Sequence, residues 1–184
     1  MRIRLEHVSH VYGASDETAP VQVLDDVSLE IESGAFLVLM GASGSGKSTL
    51  LNLIGAVDRP TRGRIVLGDR EISALAEPEL TLLRRTSIGY VFQFFNLIPT
   101  LNVFENIAFP LLLARVPRQE IDARVARMLE RIGLPRRARH FPNQLSGGEM
   151  QRVAIGRAII HRPALRCANR PAISIRAPVT ACSI

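Results

Sequence analysis

Gly41-Ala42-Ser43-Gly44-Ser45-Gly46-Lys47-Ser48 sets an ammonium and a hydroxyl directly behind three glycines. Glycines at this spacing let the backbone take φ values closed to other residues and wrap its N–H groups around a polyanion. The pattern G-x-x-x-x-G-K-[ST] cradles the β-phosphate of a nucleoside triphosphate, with the lysine reaching the β- and γ-phosphates and the serine hydroxyl on Mg²⁺. Lys47 is the only lysine in a chain whose other fixed cations are all arginine. A composition that avoids lysine keeps one at the position where a point charge is needed.

Such a loop works only between a strand and a helix. Residues 35–40, Ala-Phe-Leu-Val-Leu-Met, form a short apolar run entered through Ser33-Gly34 and predict a parallel strand buried on both faces. Thr49 and the apolar residues after it, to Ile54, predict a helix whose N-terminus aims its unpaired N–H groups and partial positive charge at the same phosphates. Residues 2–92 otherwise read mostly as strands: 2–8, the alternating 26–32, 64–67 between glycines, and 88–92. Residues 100–165 read as helices. The clearest covers 118–132, where Ile121, Val125, Met128 and Ile132 form one apolar stripe between the start signal Pro117 and the stop signal Gly133. Another helix is expected after Gly147-Gly148, carrying Val153, Ile155, Ala158 and Ile159.

The 184 residues, 47% hydrophobic and 22% charged, suit one globular core. No run approaches the roughly 18 apolar residues of a membrane span, and the first residues lack the apolar stretch of a signal peptide, so a cytosolic protein is expected. The formal charge of +6 is weak support for nucleic-acid binding: Arg166, Arg170 and Arg176 lie in an acid-free tail, which leaves 20 basic against 17 acidic residues before it. Cys167 and Cys182 both fall in that tail, and His7, His10, His140 and His161 show no ligand spacing, so neither a disulfide framework nor a metal cluster is expected.

About a hundred residues after the phosphate loop comes Leu145-Ser146-Gly147-Gly148-Glu149, followed by Met150-Gln151-Arg152. This stretch resembles the signature sequence of ATP-binding cassette (ABC) ATPases, and residues 1–165 as a whole resemble the ATPase subunit of a bacterial ABC transporter. The resemblance implies an α/β P-loop fold with an antiparallel β subdomain and a helical signature subdomain. It divides the chain into a core and β subdomain (1–93), a helical subdomain (94–150) and a return to the core (151–165). Tyr12, in Val8-Ser-His-Val-Tyr-Gly13, matches the residue that stacks on adenine, and Gln93, in Tyr90-Val-Phe-Gln93, matches the Q-loop glutamine that touches Mg²⁺ or the attacking water. The segment after it, Phe94 through Ile107, is similar to the branch serving lipoprotein release, macrolide export and related permeases. By the same resemblance Ser146, Gly147 and Gly148 face the γ-phosphate held by a partner's loop. ATP and Mg²⁺ are then the cofactors, and the partners are a second ATPase subunit and an integral-membrane permease, with no nucleic acid. The protein would sit on the cytoplasmic face of the inner membrane.

The pattern fails after Leu165. The family there supplies a strand ending in Asp-Glu, which hold Mg²⁺ through water and polarise the attacking water, then a Glu-Pro-Thr-Gly-Asn-Leu-Asp loop and later a switch histidine. This chain has no Asp or Glu beyond Glu149, so the complete catalytic set is absent and no turnover is expected. The genetic code suggests a reason. With permitted synonymous codons, inserting one adenine into codon 168 makes the text from Cys167 read Cys-Asp-Glu-Pro-Thr-Gly-Asn-Leu-Asp. A one-nucleotide deletion, real or a sequencing error, would leave a truncated ATPase domain, and residues 166–184 are expected to be an aberrant tail without ordered structure. Two other readings compete: a non-catalytic nucleotide-binding or regulatory module, and a soluble ABC-type ATPase acting on nucleic acid. The latter lacks support from any long heptad insertion or Cys-x-x-Cys pair.

Overall fold

A computed structural model of the chain describes residues 1–13, 19–169 and, as backbone, 173–176. Two compact units result: Met1–Arg84 with the described part of Cys167–Ile184, and Arg85–Arg166.

In the first unit, strands β1 (Ile3–Tyr12), β2 (Val21–Ile31), β4 (Arg62–Leu67) and β5 (Arg70–Glu71) form an antiparallel sheet in the order β2-β1-β4-β5, while β3 (Phe36–Leu39) lies outside it. Ile3 pairs with Ile31 on one side and Leu67 on the other, and Leu5 with Leu29 and Ile65. Alternation along β1 buries Ile3 and Leu5, and a register irregularity after Leu5 brings Val8 into burial as well, together with Ile31, Ile65 and Leu67. This is the antiparallel β subdomain that the resemblance implied. Helix α1 (Lys47–Ile54) buries Leu50, Leu51, Leu53 and Ile54, and each such side chain contributes about 2 kcal/mol through the apolar surface it removes from water.

Three expectations need correction in this unit. Strand β3 is not a parallel strand buried on both faces: Phe36, Val38 and Met40 are exposed, and β3 pairs antiparallel with β8 (Ile173–Arg176), Phe36 opposite Arg176 and Leu39 opposite Ile173. An apolar run without alternation does not by itself reveal which strand lies beside it. The tail is the second case. Residues 165–168 form β7 (Leu165–Ala168), with Leu165 and Cys167 buried, and 173–176 form β8; residues 170–172 and 177–184 lie outside the described set. The alternation Ile173-Ser174-Ile175-Arg176 is a strand signal in the sequence itself. The third is helix α2 (Glu77–Ser87), which falls inside a region read mostly as strands. Glu77 and Glu79 occupy its first turn, a Glu79 carboxylate oxygen accepts from the Ala76 N–H at 3.1 Å, and Leu80 and Leu83 alone are buried. Two buried leucines in 11 residues give a stripe too thin to register as helical periodicity.

The second unit holds β6 (Ile88–Val91), α3 (Val103–Leu113), α4 (Arg118–Arg131) and α5 (Gly147–Ile159), with short 3-10 turns at Pro135–Arg137 and Pro142–Gln144. Its core is built by Val103, Ile107 and Leu111 of α3, Ile121, Val125 and Met128 of α4, and Val153 of α5. The α4 stripe, its proline start and its glycine stop at Gly133 (φ 70°) follow the sequence reading. Asn106, fully buried in α3, satisfies its amide by donating to the carbonyls of Ile98, Leu101 and Asn102 while accepting from the Ile98 N–H at 2.9 Å. A buried amide with every bond made fixes the chain entering α3. Asn102 also caps that helix in a reciprocal box with Glu105.

Candidate nucleotide-binding site

The loop between β3 and α1 has the backbone its glycines predict: φ is 152° at Gly41 and 80° at both Gly44 and Gly46. Gly46 is also sterically required, since a Cβ there would stand 2.8 Å from the Val23 carbonyl oxygen and 2.9 Å from Leu24 Cδ2. Helix α1 starts with no side-chain cap and no acidic residue in its first turn, so its first N–H groups and positive dipole end are left for an anion. Lys47 Nζ curls over the loop, donating to the Gly41 carbonyl at 2.9 Å, the Ala42 carbonyl at 2.5 Å and Ser45 Oγ at 3.0 Å. The ammonium is thereby held against the loop by two backbone carbonyls and one hydroxyl. A phosphate oxygen placed at this loop would meet a charge, a helix dipole and amide donors.

Tyr12 ends β1 on the same unit. Its hydroxyl lies 3.5 Å from Thr49 Oγ1 and 3.3 Å from Asp58 Oδ2, and its half-exposed ring meets His10 edge-on at 4.4 Å. The sheet therefore delivers an accessible aromatic face beside the helix that follows the loop. His10 is buried, and its Nε2 stands 3.5 Å from Asp58 Oδ2, a contact too long to count as a hydrogen bond. Ser48 Oγ lies 3.5 Å from Asn169 Oδ1, just past the end of β7. Two neutral oxygens are a donor set that hard cations such as Mg²⁺ take. Among the described residues no three His, Cys, Asp or Glu side chains gather as a metal cluster, so a cation here would depend on the phosphates for its anionic ligands.

Gln93 and the signature belong to the second unit. Gln93 is exposed in the turn after β6, and the next residues are strained: Phe95 and Asn96 take φ of 62° and 45°. Arg157 on α5 holds that turn, its guanidinium donating to the carbonyls of Phe95 and Asn96, both at 2.7 Å. Partial burial lowers the Arg157 pKa from its ordinary value. Leu145 is buried, and Ser146 is the N-cap of α5. Ser146 Oγ accepts from the Glu149 N–H at 3.3 Å while Glu149 accepts from the Ser146 N–H at 2.8 Å. That backbone bond first, then the Ser146 hydroxyl and Arg137, hold the Glu149 carboxyl below the usual carboxylate range. Because the folded pKa is depressed, the box contributes stability above the ordinary value and loses it as pH falls through the folded one.

Gly147 and Gly148 open α5, and nothing among the described residues requires them. A Cβ at Gly147 would meet no atom within 4 Å, one at Gly148 would come only within 3.8 Å of Arg152 Nη1, and neither has a positive φ. Two glycines at a helix start cost helix propensity, and here no internal packing offsets it.

The phosphate-loop pattern pointed to residues 41–48, and the family resemblance to Tyr12, Gln93 and the signature; neither pointed to Arg157, Asn169 or the Thr49–Asp58 pair around Tyr12. Asn169 is 121 positions from Ser48 and Arg157 is 61 from Asn96, separations at which no local pattern exists. Cys167, 1% exposed, has its thiol pushed up to about 12 by burial. In a Cys182→Ser background it should react with a thiol reagent at pH 8 about 1,000-fold more slowly than an ordinary cysteine, the ratio of thiolate fractions, until the protein unfolds. Immediate modification of the folded protein would show that β7 is not packed as described.

The family model for ABC transporters matches residues 24–171. An uncharacterized ABC transporter ATP-binding protein of Mycobacterium tuberculosis is 50% identical over 150 residues, 82% of this chain and 60% of its own length. The chain thus spans about 60% of that relative. The lipoprotein-releasing system ATP-binding protein LolD of Bordetella avium is 43% identical over 92% of this chain and 73% of its own length. The ATP-binding cassette MJ0796, solved as a dimer in a post-hydrolysis state with ADP and Pi, superposes with a TM-score of 0.85 at 42% identity, covering 92% of this chain and 74% of that one. This chain belongs to the family of ABC transporter ATP-binding proteins and resembles its LolD-type members.

Proposed function

We propose that this chain is a nucleotide-binding subunit that places ATP between its own phosphate loop and the signature of a second copy, and that it serves a membrane permease of the kind that LolD-type proteins work with. The observation that carries this reading is the glycine pair Gly147-Gly148: the first two positions of α5 carry no side chain, nothing among the described residues requires this, and such a surface suits close approach from outside. Within one chain, Lys47, the loop amides and the α1 dipole bind the phosphates, Ser48 offers its hydroxyl to Mg²⁺, and Tyr12 offers a face to the base. Gln93 contributes the contact to Mg²⁺ or the attacking water that the resemblance implies. No described helix is long and apolar enough to cross a membrane, which fits a subunit that reaches the cytoplasmic face through its partner. The substrate moved by that partner is set elsewhere.

Hydrolysis by this chain is a separate matter. Asn169 stands beside Ser48 where polarising a water would call for a carboxylate, and this favours the second reading, a module that binds nucleotide without turning it over. The codon argument supports residues 168–184 as the product of a shifted frame, which sequencing the gene through codons 160 to 190 checks directly. Binding is tested by calorimetry with ATP. The chain should bind it, and Lys47→Ala should weaken binding about 100-fold, the loss of charge-assisted contacts worth about 3 kcal/mol. Equal affinity in the variant would remove the loop from the site.

A further inference from the structure

Ser48 and Asn169 bring together two oxygens from distant segments of the chain beside the phosphate loop: a hydroxyl at the start of α1 and an amide just past β7, 3.5 Å apart. We infer that Asn169 is a cation ligand in this chain, its Oδ1 and the Ser48 Oγ together forming a carboxylate-free seat for the divalent cation that travels with the nucleotide. The inference rests on the nucleotide-binding reading above and adds to it the composition of the metal seat and its consequence for binding.

The geometry fits. Two neighbouring oxygens on an octahedral Mg²⁺, each at about 2.1 Å, stand about 3.0 Å apart. From 3.5 Å the pair needs to close by roughly half an ångström, within the reach of one side-chain torsion, and the Ser48 proton turns away from Asn169 as the cation takes its place. Among the described residues neither side chain has a hydrogen-bond partner besides the other, and Ser48 is exposed and Asn169 half-buried.

The chemistry then sets the behaviour. An amide oxygen and a hydroxyl solvate a hard cation but do not neutralise it, so the phosphates must supply all the negative charge. The protein alone has little hold on Mg²⁺. Equally, the Ser48–Asn169 seat has no carboxylate to repel metal-free ATP, and Lys47 with the loop amides is still there to meet the phosphates. ATP should therefore bind almost as well without a divalent cation as with one. Substituting a carboxylate at Asn169 reverses both terms, attracting the cation and repelling bare phosphate.

The test is calorimetric titration of ATP into the full chain, in Mg²⁺ and in EDTA, for the wild type, Asn169→Asp and Asn169→Ala, with a melt of each to show folding. The wild-type affinities in the two buffers should agree within about fivefold. Asn169→Asp should widen the ratio by about tenfold or more, tighter in Mg²⁺ and weaker in EDTA; Asn169→Ala should leave the EDTA affinity unchanged and abolish the residual Mg²⁺ preference. If ATP binds but neither variant moves the ratio, Asn169 is not at the cation and the proposal falls while the loop assignment stands. A wild type that binds no ATP in either buffer overturns the nucleotide-binding reading itself, and the metal seat with it.

Discussion

Inserting one adenine into codon 168 should raise ATP turnover by about 10²- to 10⁴-fold, the range that a positioned general base contributes. With the synonymous codons that the shifted-frame reading uses, the insertion replaces Ala168 and Asn169 by aspartate and glutamate and restores the family's loop beyond them. The structure makes this a local change at the right place. Strand β7 ends at Ala168, and the next side chain, Asn169, already reaches to 3.5 Å from Ser48 Oγ. A carboxylate there would stand beside the Ser48 hydroxyl. In the chain as it is, no Asp or Glu follows Glu149, so the tail offers no carboxylate to orient water. Phosphate release measured on both proteins decides the matter. If the present chain turns over near about 1 s⁻¹, at the low end of the usual enzyme range, the missing carboxylates are not needed. If the restored protein binds ATP and stays silent, the shifted-frame account loses its functional half. Lys47→Ala in the restored protein should return it to the background rate.

The parts of this site that the sequence made legible are those whose geometry is local. A phosphate loop is eight consecutive residues whose glycines, lysine and serine must stand in one order, and the φ values at Gly41, Gly44 and Gly46 follow from that order. Helix α4 was legible for the same reason: Ile121, Val125 and Met128 repeat at helical spacing between Pro117 and Gly133, and all three are buried. Helix α2 was not, because Leu80 and Leu83 are its only buried residues and its hold on the rest of its unit runs through Arg84, which donates to the Ala56 carbonyl at 2.7 Å. Strand β3 shows a different failure. Its apolar run was read as burial on both faces, but burial depends on what pairs with it, and β8 arrives from more than a hundred residues away with its direction reversed. The support of the Gln93 turn by Arg157 was illegible on the same ground: the strain at Phe95 and Asn96 and the arginine that holds it belong to distant stretches of the chain.

The glycine pair at the start of α5 offers a test in which stability and function are expected to move in opposite directions. Gly148→Ala should stabilise, since alanine gains about 0.5 to 1 kcal/mol over glycine in a helix and less at its first turn, and the added methyl would meet only the far end of Arg152. Gly148→Asp should stabilise as well, because a carboxylate in the first turn interacts with the positive end of the helix dipole by about 0.3 to 1 kcal/mol. In a protein of this size either change raises the melting temperature by up to a few degrees. Measured in the frame-restored protein, however, Gly148→Asp should cut ATP turnover by about 100-fold or more, the scale of losing one preorganised donor to developing charge, because it sets an anion against the phosphates that a second copy presents. Gly148→Ala should fall between. ATP affinity of the isolated subunit should stay unchanged in both, since its own loop is untouched. A helix interior role for the glycine predicts the reverse: destabilised variants with activity lost only in proportion to folded protein. Should Gly148→Asp be more stable and fully active, then no anion approaches α5 from outside, and the pairing of one copy's signature with another's phosphate loop fails for this chain.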